Sequence, residues 1–508
     1  MKNKIKLMVI GMAALCLHFN ATAQIQPGSF GYYQDALRFS QSNTIGTARL
    51  AGMAGAGSVL GGDLSAASLN PAGLALYNRS QFVFTPSLNF NQYNTSFLGQ
   101  GSNNEKSRLE ISNLGVVINF NKSDFIPGGW RGGSVAVTYN RKNDFNQRLT
   151  YGANNNNSSI IDAMLDRADG FFSNELGGIE QVGFDHYLIN PLPNAPDFYV
   201  SPVEGFPFQE ESITRSGHTD EINIAGGANY DDKIYIGAGF GIVSSNYQMS
   251  RVYRESFSGT VLESFSIDEL FDASGTGFNA NVGVIVRPTD FIRIGASITT
   301  PTWYNFSEES DAIYNSEYNN FDVSGFEDNG QRVILEDTVL NSLQSQTNVF
   351  FSDYDLRTPA RFNLGAAFFI GKSGFITADI ERVNYANSHV SSSDFSADSD
   401  NRTIASIYQA TTNIRIGGEF RYKEFRFRGG FASIGDPTNE LLDDVDRSRT
   451  VVSAGVGVNM GRYFLDFAYT QTKFNDSFTS YTFADGVGPT ATTENKLGNA
   501  RISLGLNF

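Results

Sequence analysis

From Gln81 onward the chain alternates, residue by residue, between apolar and small or polar positions. Over 234–242, Ile234, Ile236, Ala238, Phe240 and Ile242 fall on one side, with Tyr235 and three glycines on the other. Phe278, Ala280, Val282, Val284 and Val286 oppose Asn279, Asn281, Gly283 and Arg287, with Ile285 the exception. At the C-terminus Ile502, Leu504, Leu506 and Phe508 oppose Arg501, Ser503, Gly505 and Asn507. A period of two sends successive side chains to opposite faces of a strand. Fourteen such segments are predicted, at 82–97, 107–120, 132–151, 218–230, 233–255, 276–287, 290–305, 358–370, 373–389, 405–422, 425–435, 448–460, 463–475 and 496–508. Tight connections at Asp231-Asp232, Pro288-Thr289, Gly371-Lys372, Lys423-Glu424 and Gly461-Arg462 alternate with long ones over 152–217, 256–275, 306–357 and 476–495. A soluble sandwich has no reason to collect its long connections at one end. The predicted fold is all-β: a fourteen-stranded antiparallel transmembrane barrel, apolar face to lipid and polar face to the lumen.

Residues before Gln81 read differently. Lys2, Lys4 and Lys6 precede an apolar run over 7–17, and Ala21-Thr22-Ala23 follows, which predicts a signal peptide at 1–23. The run is well short of the ~20 residues that a membrane-spanning helix needs. Residues 24–80 are rich in glycine and alanine and do not alternate, so they are expected to fold as a hatch, or plug, inside the lumen. Gly55, Gly57 and Gly61 do not make a dinucleotide-binding turn, because no apolar strand leads into them. The expected plan is therefore a leader at 1–23, a hatch at 24–80, and a barrel at 81–508 with long extracellular loops at 152–217 and 306–357.

Composition narrows the function. Only 18% of residues are charged while 42 are Phe and 51 Gly, which suits walls that face lipid outside and a crowded lumen inside. The formal charge is −16, and loss of the leader's three lysines takes it to −19, so phosphate backbones are repelled and nucleic-acid binding is excluded. The only cysteine, Cys16, sits in the leader, which leaves no disulfide framework and no thiolate metal site. His186, His218 and His389 are scattered, and no zinc-protease, nucleophile-elbow or phosphate-loop motif is present. Neither enzymatic activity, nor a cofactor, nor a metal is expected.

Two sets of residues are candidates for ligand contact. In the first long loop, Ser158 is expected to cap a helix carrying Ile160, Ile161, Met164, Leu165 and Ala168, with Phe171 and Phe172 just beyond. A second helix is expected from Ile334, Leu335, Val339, Leu340 and Leu343. Ile160, Met164, Leu165, Phe171, Phe172, Leu340 and Leu343 then form a candidate hydrophobic groove; the alternative is that the two stripes pack the loops on each other. The second set is lumenal by strand parity: Arg293, Arg361, Asp379, Glu381, Arg415, Glu419, Arg421, Arg426 and Arg428. Such charges are expected to pair with each other or with the hatch; an arginine meeting a ligand carboxylate is the sharper alternative.

The segment Gly61-Gly62-Asp63-Leu64-Ser65-Ala66-Ala67-Ser68-Leu69-Asn70-Pro71-Ala72-Gly73-Leu74 resembles the hatch of the FadL/TodX-type outer-membrane transporters of hydrophobic compounds. Val286-Arg287-Pro288-Thr289-Asp290-Phe291, Thr358-Pro359-Ala360-Arg361-Phe362 and Ile414-Arg415-Ile416-Gly417 look like later strands of the same family. The resemblance implies a hatched fourteen-stranded barrel, with Asp63, Asn70, Pro71, Ala72 and Gly73 in the hatch. It implies a monomer in the outer membrane of a Gram-negative cell, surrounded by outer-membrane lipids. The function it implies is passive uptake of hydrophobic small molecules, first among them long-chain fatty acids or similar lipids or hydrocarbons. In that family a break in the third strand opens a lateral exit, for which Asn140-Arg141-Lys142-Asn143 is the polar interruption here. A docking or shuttle role in protein secretion and a general porin are the alternative readings.

Overall fold

The computed structural model describes residues 31–43, 46–121 and 129–508; the predicted leader lies outside them. Nineteen hydrogen-bonded segments form one sheet, and joined across their kinks they make fourteen antiparallel strands. The first strand is β1 (Gln81–Phe97), followed by β2 (Gln100–Asn121) and a broken β3 (Trp130–Asp144 and Gln147–Asn154). Next come β4 (Phe208–Tyr230), β5 (Ile234–Ser256) and β6 (Leu262–Thr289). Three broken strands follow: β7 (Ile292–Thr299 and Trp303–Asp322), β8 (Val339–Gln346, Phe350–Arg357 and Arg361–Ile370) and β9 (Gly374–Asn384 and His389–Ser391). The wall ends with β10 (Ala410–Tyr422), β11 (Phe425–Ile434), β12 (Arg449–Met460), β13 (Tyr463–Thr479) and β14 (Thr490–Asn507). β14 pairs with β1 from Gln81↔Asn507 to Ser96↔Thr492, which closes the barrel.

The alternation sorts the faces as read from the sequence. Ile234, Ile236, Phe240 and Ile242 point outward and are 41–51% exposed, while Tyr235 and Val243 are buried inside. Above Ile242 the outward positions of β5 turn polar, at Ser244 and Asn246, so the apolar belt stops there. Turns at the other end are short. Asp231 and Asp232 both have positive φ, the geometry in which a two-residue hairpin matches the twist of its strands.

The strands run much further than their amphipathic parts. β7 continues to Asp322 and β8 takes up Val339–Gln346 and Phe350–Arg357, so most of 306–357 is strand extension and the connection shrinks to 323–338. Val339–Gln346 pairs with β7 from Asp322↔Val339 to Ile313↔Gln346, which overturns the helix expected at Leu340 and Leu343. Outward residues here are Asn305, Ser307 and Glu309, so water replaces lipid and the apolar half of the pattern disappears. The 152–217 loop is likewise trimmed, by β3 and β4, to a cap holding α4 (Ile160–Ala168) and α5 (Gly178–Asp185). Its helix is as expected, though Ser159 and not Ser158 caps it, in a capping box with Asp162. The predicted strand start at 405 is instead the end of α6 (Asp398–Ile407).

Residues 31–43 and 46–76 fill the lumen. They form α1 (Tyr32–Arg38), the single turns α2 (Ala48–Ala51) and α3 (Ala66–Leu69), and a 3₁₀ stretch, Pro71–Leu76. The Asn70 side chain caps that stretch by accepting from Ala72 N–H at 3.2 Å, and Pro71 sits at its first turn, where a missing N–H costs nothing. The wall meets this segment backbone to backbone. A Cβ at Gly237 would lie 2.2 Å from the Pro71 carbonyl carbon, and one at Gly430 would lie 2.2 Å from that of Met53. Gly237→Val is expected to push Pro71 and Ala72 off β5 at a cost of about 1–3 kcal/mol. In planar bilayers it should raise conductance over the parent chain with the barrel intact by gel mobility; unchanged conductance would contradict this packing.

Candidate functional site

The lumen is built in three layers. At the short-turn end the predicted lumenal charges hold the hatch. Asp379 accepts from Gly57 N–H at 2.7 Å, Ser58 N–H at 3.0 Å and Ser58 Oγ at 2.6 Å. Arg293 donates to Leu60 O at 2.6 Å, and Arg361 donates to Ser40 O. Glu381 lies 3.0 Å from Arg415 and 3.7 Å from Arg361, and accepts from Asn413 at 2.7 Å. Glu419 joins Arg428 at 2.8 Å and Arg421 at 2.7 Å, with the hatch residue Arg49 at 3.7 Å; Arg428 also reaches Asp466 at 2.6 Å. Arg426 differs: at the rim it donates to the turn carbonyls of Lys423 and Phe425. Within the hatch, Asp63 accepts from Thr47 Oγ1 at 2.7 Å and Ser65 N–H at 2.9 Å. Ala72 and Gly73 follow Pro71 in the buried 3₁₀ stretch.

Above this lies an aromatic layer that the sequence reading did not single out. Tyr32, Tyr33, Ala36 and Phe39, on and just after α1, pack against Tyr247, Tyr304, Phe306, Tyr354 and Tyr408 from the wall. Phe39 stacks on Phe306 with centroids 4.3 Å apart, and Arg38 lies 4.0 Å over the Tyr247 ring. The polar edges are satisfied specifically. Tyr354 donates to Asp35 at 2.7 Å, Tyr408 donates to Tyr33 O at 2.7 Å, and Asp400 accepts from Tyr33 N–H at 3.1 Å. Asp400 is therefore buried at the start of α6. The sequence signal was Tyr32-Tyr33-x-x-Ala36-Leu37, an apolar stripe hidden in a segment read only for its glycines. Cavities flanking Asn43 measure about 60 and 50 Å³, against roughly 300–1,000 Å³ for a ligand pocket. α1 fills this level of the lumen.

The third layer is the cap. Ile160, Met164 and Leu340 are buried in one cluster, with Leu165 and Leu343 packed on it, while Phe171 and Phe172 stand 52% and 51% exposed. Five of the seven groove candidates thus come together as packed core; the two phenylalanines do not join them. Glu255, beyond the apolar belt on β5, pins this cap. Its Oε1 accepts from Ile160 N–H at 2.8 Å, Gln209 at 2.7 Å and Tyr253 OH at 2.7 Å, while Oε2 is buried without a partner. Burial raises its carboxyl to about 7, and burial beside Asp35 likewise raises Glu308 to about 7.

The wall is not uniformly sealed. β2 pairs with β3 only from Asn121↔Gly132 up to Asn113↔Asn140; residues 141–154 of β3 pair with β4 alone. The strand itself breaks at Phe145-Asn146, just beyond the polar stretch singled out in the sequence. Side chains bridge the parted strands at the top, Ser102 and Asn104 to Thr150 O at 2.6 and 3.2 Å, and Lys106 to Arg215 O at 3.1 Å. Lower down, Arg141 lies 3.3 Å from Glu110 and 2.5 Å from Asp220, and Arg108 lies 3.8 Å from Asp144. Leu109 and Ile111, 74% and 42% exposed, flank the opening outside.

Two measurements test this layering. Asp379→Ala strands two hatch N–H groups at about 1–3 kcal/mol each, so hydrogen exchange at Gly57 and Ser58 should quicken while the barrel persists; unchanged exchange would contradict the anchoring. A folded carboxyl raised to about 7 keeps its proton where the unfolded one has lost it. Glu255 therefore favours the closed cap below its unfolded value, and that contribution falls as pH rises to about 7. Exchange across α4, corrected for intrinsic rates, should be faster at pH 8 than at pH 5, and Glu255→Gln should remove its share of the difference.

No family model and no curated protein matches this chain. Solved structures do. A FadL homologue from Pseudomonas aeruginosa superposes with a TM-score of 0.55 at 14% identity, covering 92% of this chain and 100% of its own. The P. putida toluene transporter TodX superposes at 0.52 and 12% identity, covering 92% and 99%. At these identities the likeness concerns architecture, and the closed, plugged, fourteen-stranded wall agrees with it. This chain has the fold of the FadL- and TodX-type outer-membrane channels.

Proposed function

We propose that this protein resides in the outer membrane and passively takes up hydrophobic small molecules, with long-chain fatty acids or similar lipids the first class. The short turns then face the periplasm and the cap faces outward. What supports this most is the aromatic layer around α1, which sits between the cap and the parted β2–β3 wall. A ligand entering through the cap meets apolar rings, takes the place of α1, and leaves sideways past Leu109 and Ile111 into the membrane. Named neighbours support the class: one is a FadL homologue and one a toluene transporter. A plugged lumen argues against a general porin. Nothing in the geometry favours a secretion role.

The test uses α1 as a latch. Ser40 Oγ and Ser388 Oγ lie 3.5 Å apart, and the chain's only cysteine, Cys16, is in the predicted leader. In a deletion strain the parent chain should restore uptake of labelled oleate. The Ser40→Cys/Ser388→Cys variant should lose at least tenfold of that uptake when oxidised and regain it on reduction. Oleate uptake that does not depend on the gene would overturn the substrate class; uptake unchanged by the oxidised latch would overturn displacement of α1.

A further inference from the structure

One stretch of the wall is left half-paired above the apolar belt. Val339–Gln346, the first part of β8, pairs with β7 on one side, and among the described residues no strand pairs with its other side. At the end of that ladder Thr347 N–H donates to Ala312 O at 2.9 Å. Opposed residues of an antiparallel pair exchange hydrogen bonds at every second position. Ser345 and Leu343 therefore bond to β7, while the N–H and C=O groups of Ser342, Gln344 and Gln346 point away from it. Among the described residues those six groups have no partner, and all three residues are exposed.

The strand is held firmly by its inner face. Leu340 and Leu343 pack into the core of the cap, and Ser345 Oγ lies 2.9 Å from His186 Nε2. It also stands clear of lipid, because Ile313, opposite Gln346, is ten residues beyond Trp303 on β7, about 33 Å along the strand. Edges in water are ordinarily guarded by charge, by proline or by a covering segment. The parted edge of β2 is guarded in this way, carrying Glu105, Lys106, Arg108 and Glu110. From Thr338 to Ser352, by contrast, there is no charged residue, no proline and no glycine. Val339, Phe350 and Phe351, at the two ends of this edge, are 56%, 47% and 67% exposed.

The face beside the edge is acidic. Asp268 and Asp272 on β6 and Glu309, Asp311 and Glu317 on β7 point outward, with Glu309 directly opposite Asp272. Among the described residues none of the five is in an ion pair. Like charges facing each other across strands are destabilising, so this face favours cations. Asp311 accepts from Gln346 at 3.0 Å, and Gln344 donates to Asn315 at 2.7 Å, so the glutamines lie down towards β7. A strand added beside them would lie two strand spacings from β7, about 9–10 Å, a gap that a lysine and an aspartate side chain close together.

We propose that this edge binds an extended segment of another polypeptide by strand addition, a segment with basic side chains on its outward face. The free N–H and C=O groups of Ser342, Gln344 and Gln346 continue the ladder into the segment, and Asp311 and Glu317 meet its cations. A second copy of this chain is the wrong partner, because it would bring an uncharged edge and a second acidic face. The inference concerns a segment that reaches the barrel from the cap side, and it stands apart from uptake and from export.

Fluorescence polarisation on the full barrel in a neutral maltoside detergent tests it, with a labelled peptide of four Lys-Val repeats as the probe. The peptide should bind saturably, and its Glu-Val counterpart at least tenfold more weakly. Methylating the backbone nitrogens of all the lysines, or of all the valines, should abolish binding for one set and spare it for the other, since one set faces the edge. Gln344→Pro removes an outward N–H while leaving the ladder to β7 intact, and should weaken the peptide about tenfold; Gln344→Lys should weaken it by repulsion. Asp311→Asn combined with Glu317→Gln should erase the preference for Lys-Val, while Asp290→Asn at the short-turn end should change nothing. Gel mobility confirms that each variant is folded. A parent barrel that binds no peptide, equal effects of the two methylated peptides, or binding unchanged by Gln344→Pro overturns the proposal. So does a parent barrel that is dimeric by native mass spectrometry and becomes monomeric with Gln344→Pro, which would give the edge to a second copy. Oleate uptake is not a readout here, so the two proposals fail separately.

Discussion

Backbone N–H and C=O groups inside hydrocarbon have no water to bond, and leaving them unpaired costs several kcal/mol each. Much of this structure follows from that requirement. It forces the last strand back onto the first, so that Gln81 meets Asn507 across more than four hundred residues of chain. Where the ladder stops, other groups must take it over. β2 and β3 separate only above Asn113 and Asn140. There the polar side chains Ser102, Asn104 and Lys106 take over the bridging from the missing ladder.

Closing the wall creates a second problem, the lumen. Small residues let backbone approach backbone, at Gly237 against Pro71 and Gly430 against Met53, and the remaining polar surface is satisfied by charges in clusters. Glu419 with Arg428, Arg421 and Arg49, and Glu381 with Arg415 and Arg361, are each held by more than one opposite charge. Removing one partner from such a buried group is costly, about 3–5 kcal/mol. The hatch is thus fixed by charges at the short-turn end, and the upper part of the lumen is held differently. There α1 is held by rings and a few tyrosine hydrogen bonds.

The three layers divide the work. The cap hides its apolar stripe in its own core and is pinned through Glu255. The aromatic layer packs the rings of α1 against those of the wall. α1 occupies the middle layer, and the ladder between β2 and β3 stops beside the exposed Leu109 and Ile111.

The fourteen strands were legible because lipid on one face and lumen on the other impose opposite chemistry on alternate residues, as in Ile234, Ile236 and Phe240 against Tyr235 and the glycines. The same physics made the extensions of β7 and β8 illegible: past Trp303 the outer face meets water and turns polar, as at Asn305 and Ser307, and the run Ser307-Glu308-Glu309 carries no alternation. Strand parity correctly sent Asp379, Glu381 and Glu419 inward, yet it could not name their partners. Gly57 and Arg49 reach them only once the chain has closed. The Leu340–Leu343 spacing read as a helix because a short apolar pair fits either period; pairing with β7 decided it. What the sequence determined by itself was the barrel, its belt and its turns, all consequences of local periodicity in a layered solvent. What only the tertiary structure decided was which residues meet in the lumen, because contacts between α1, the hatch and the wall join positions hundreds of residues apart and leave no periodic trace.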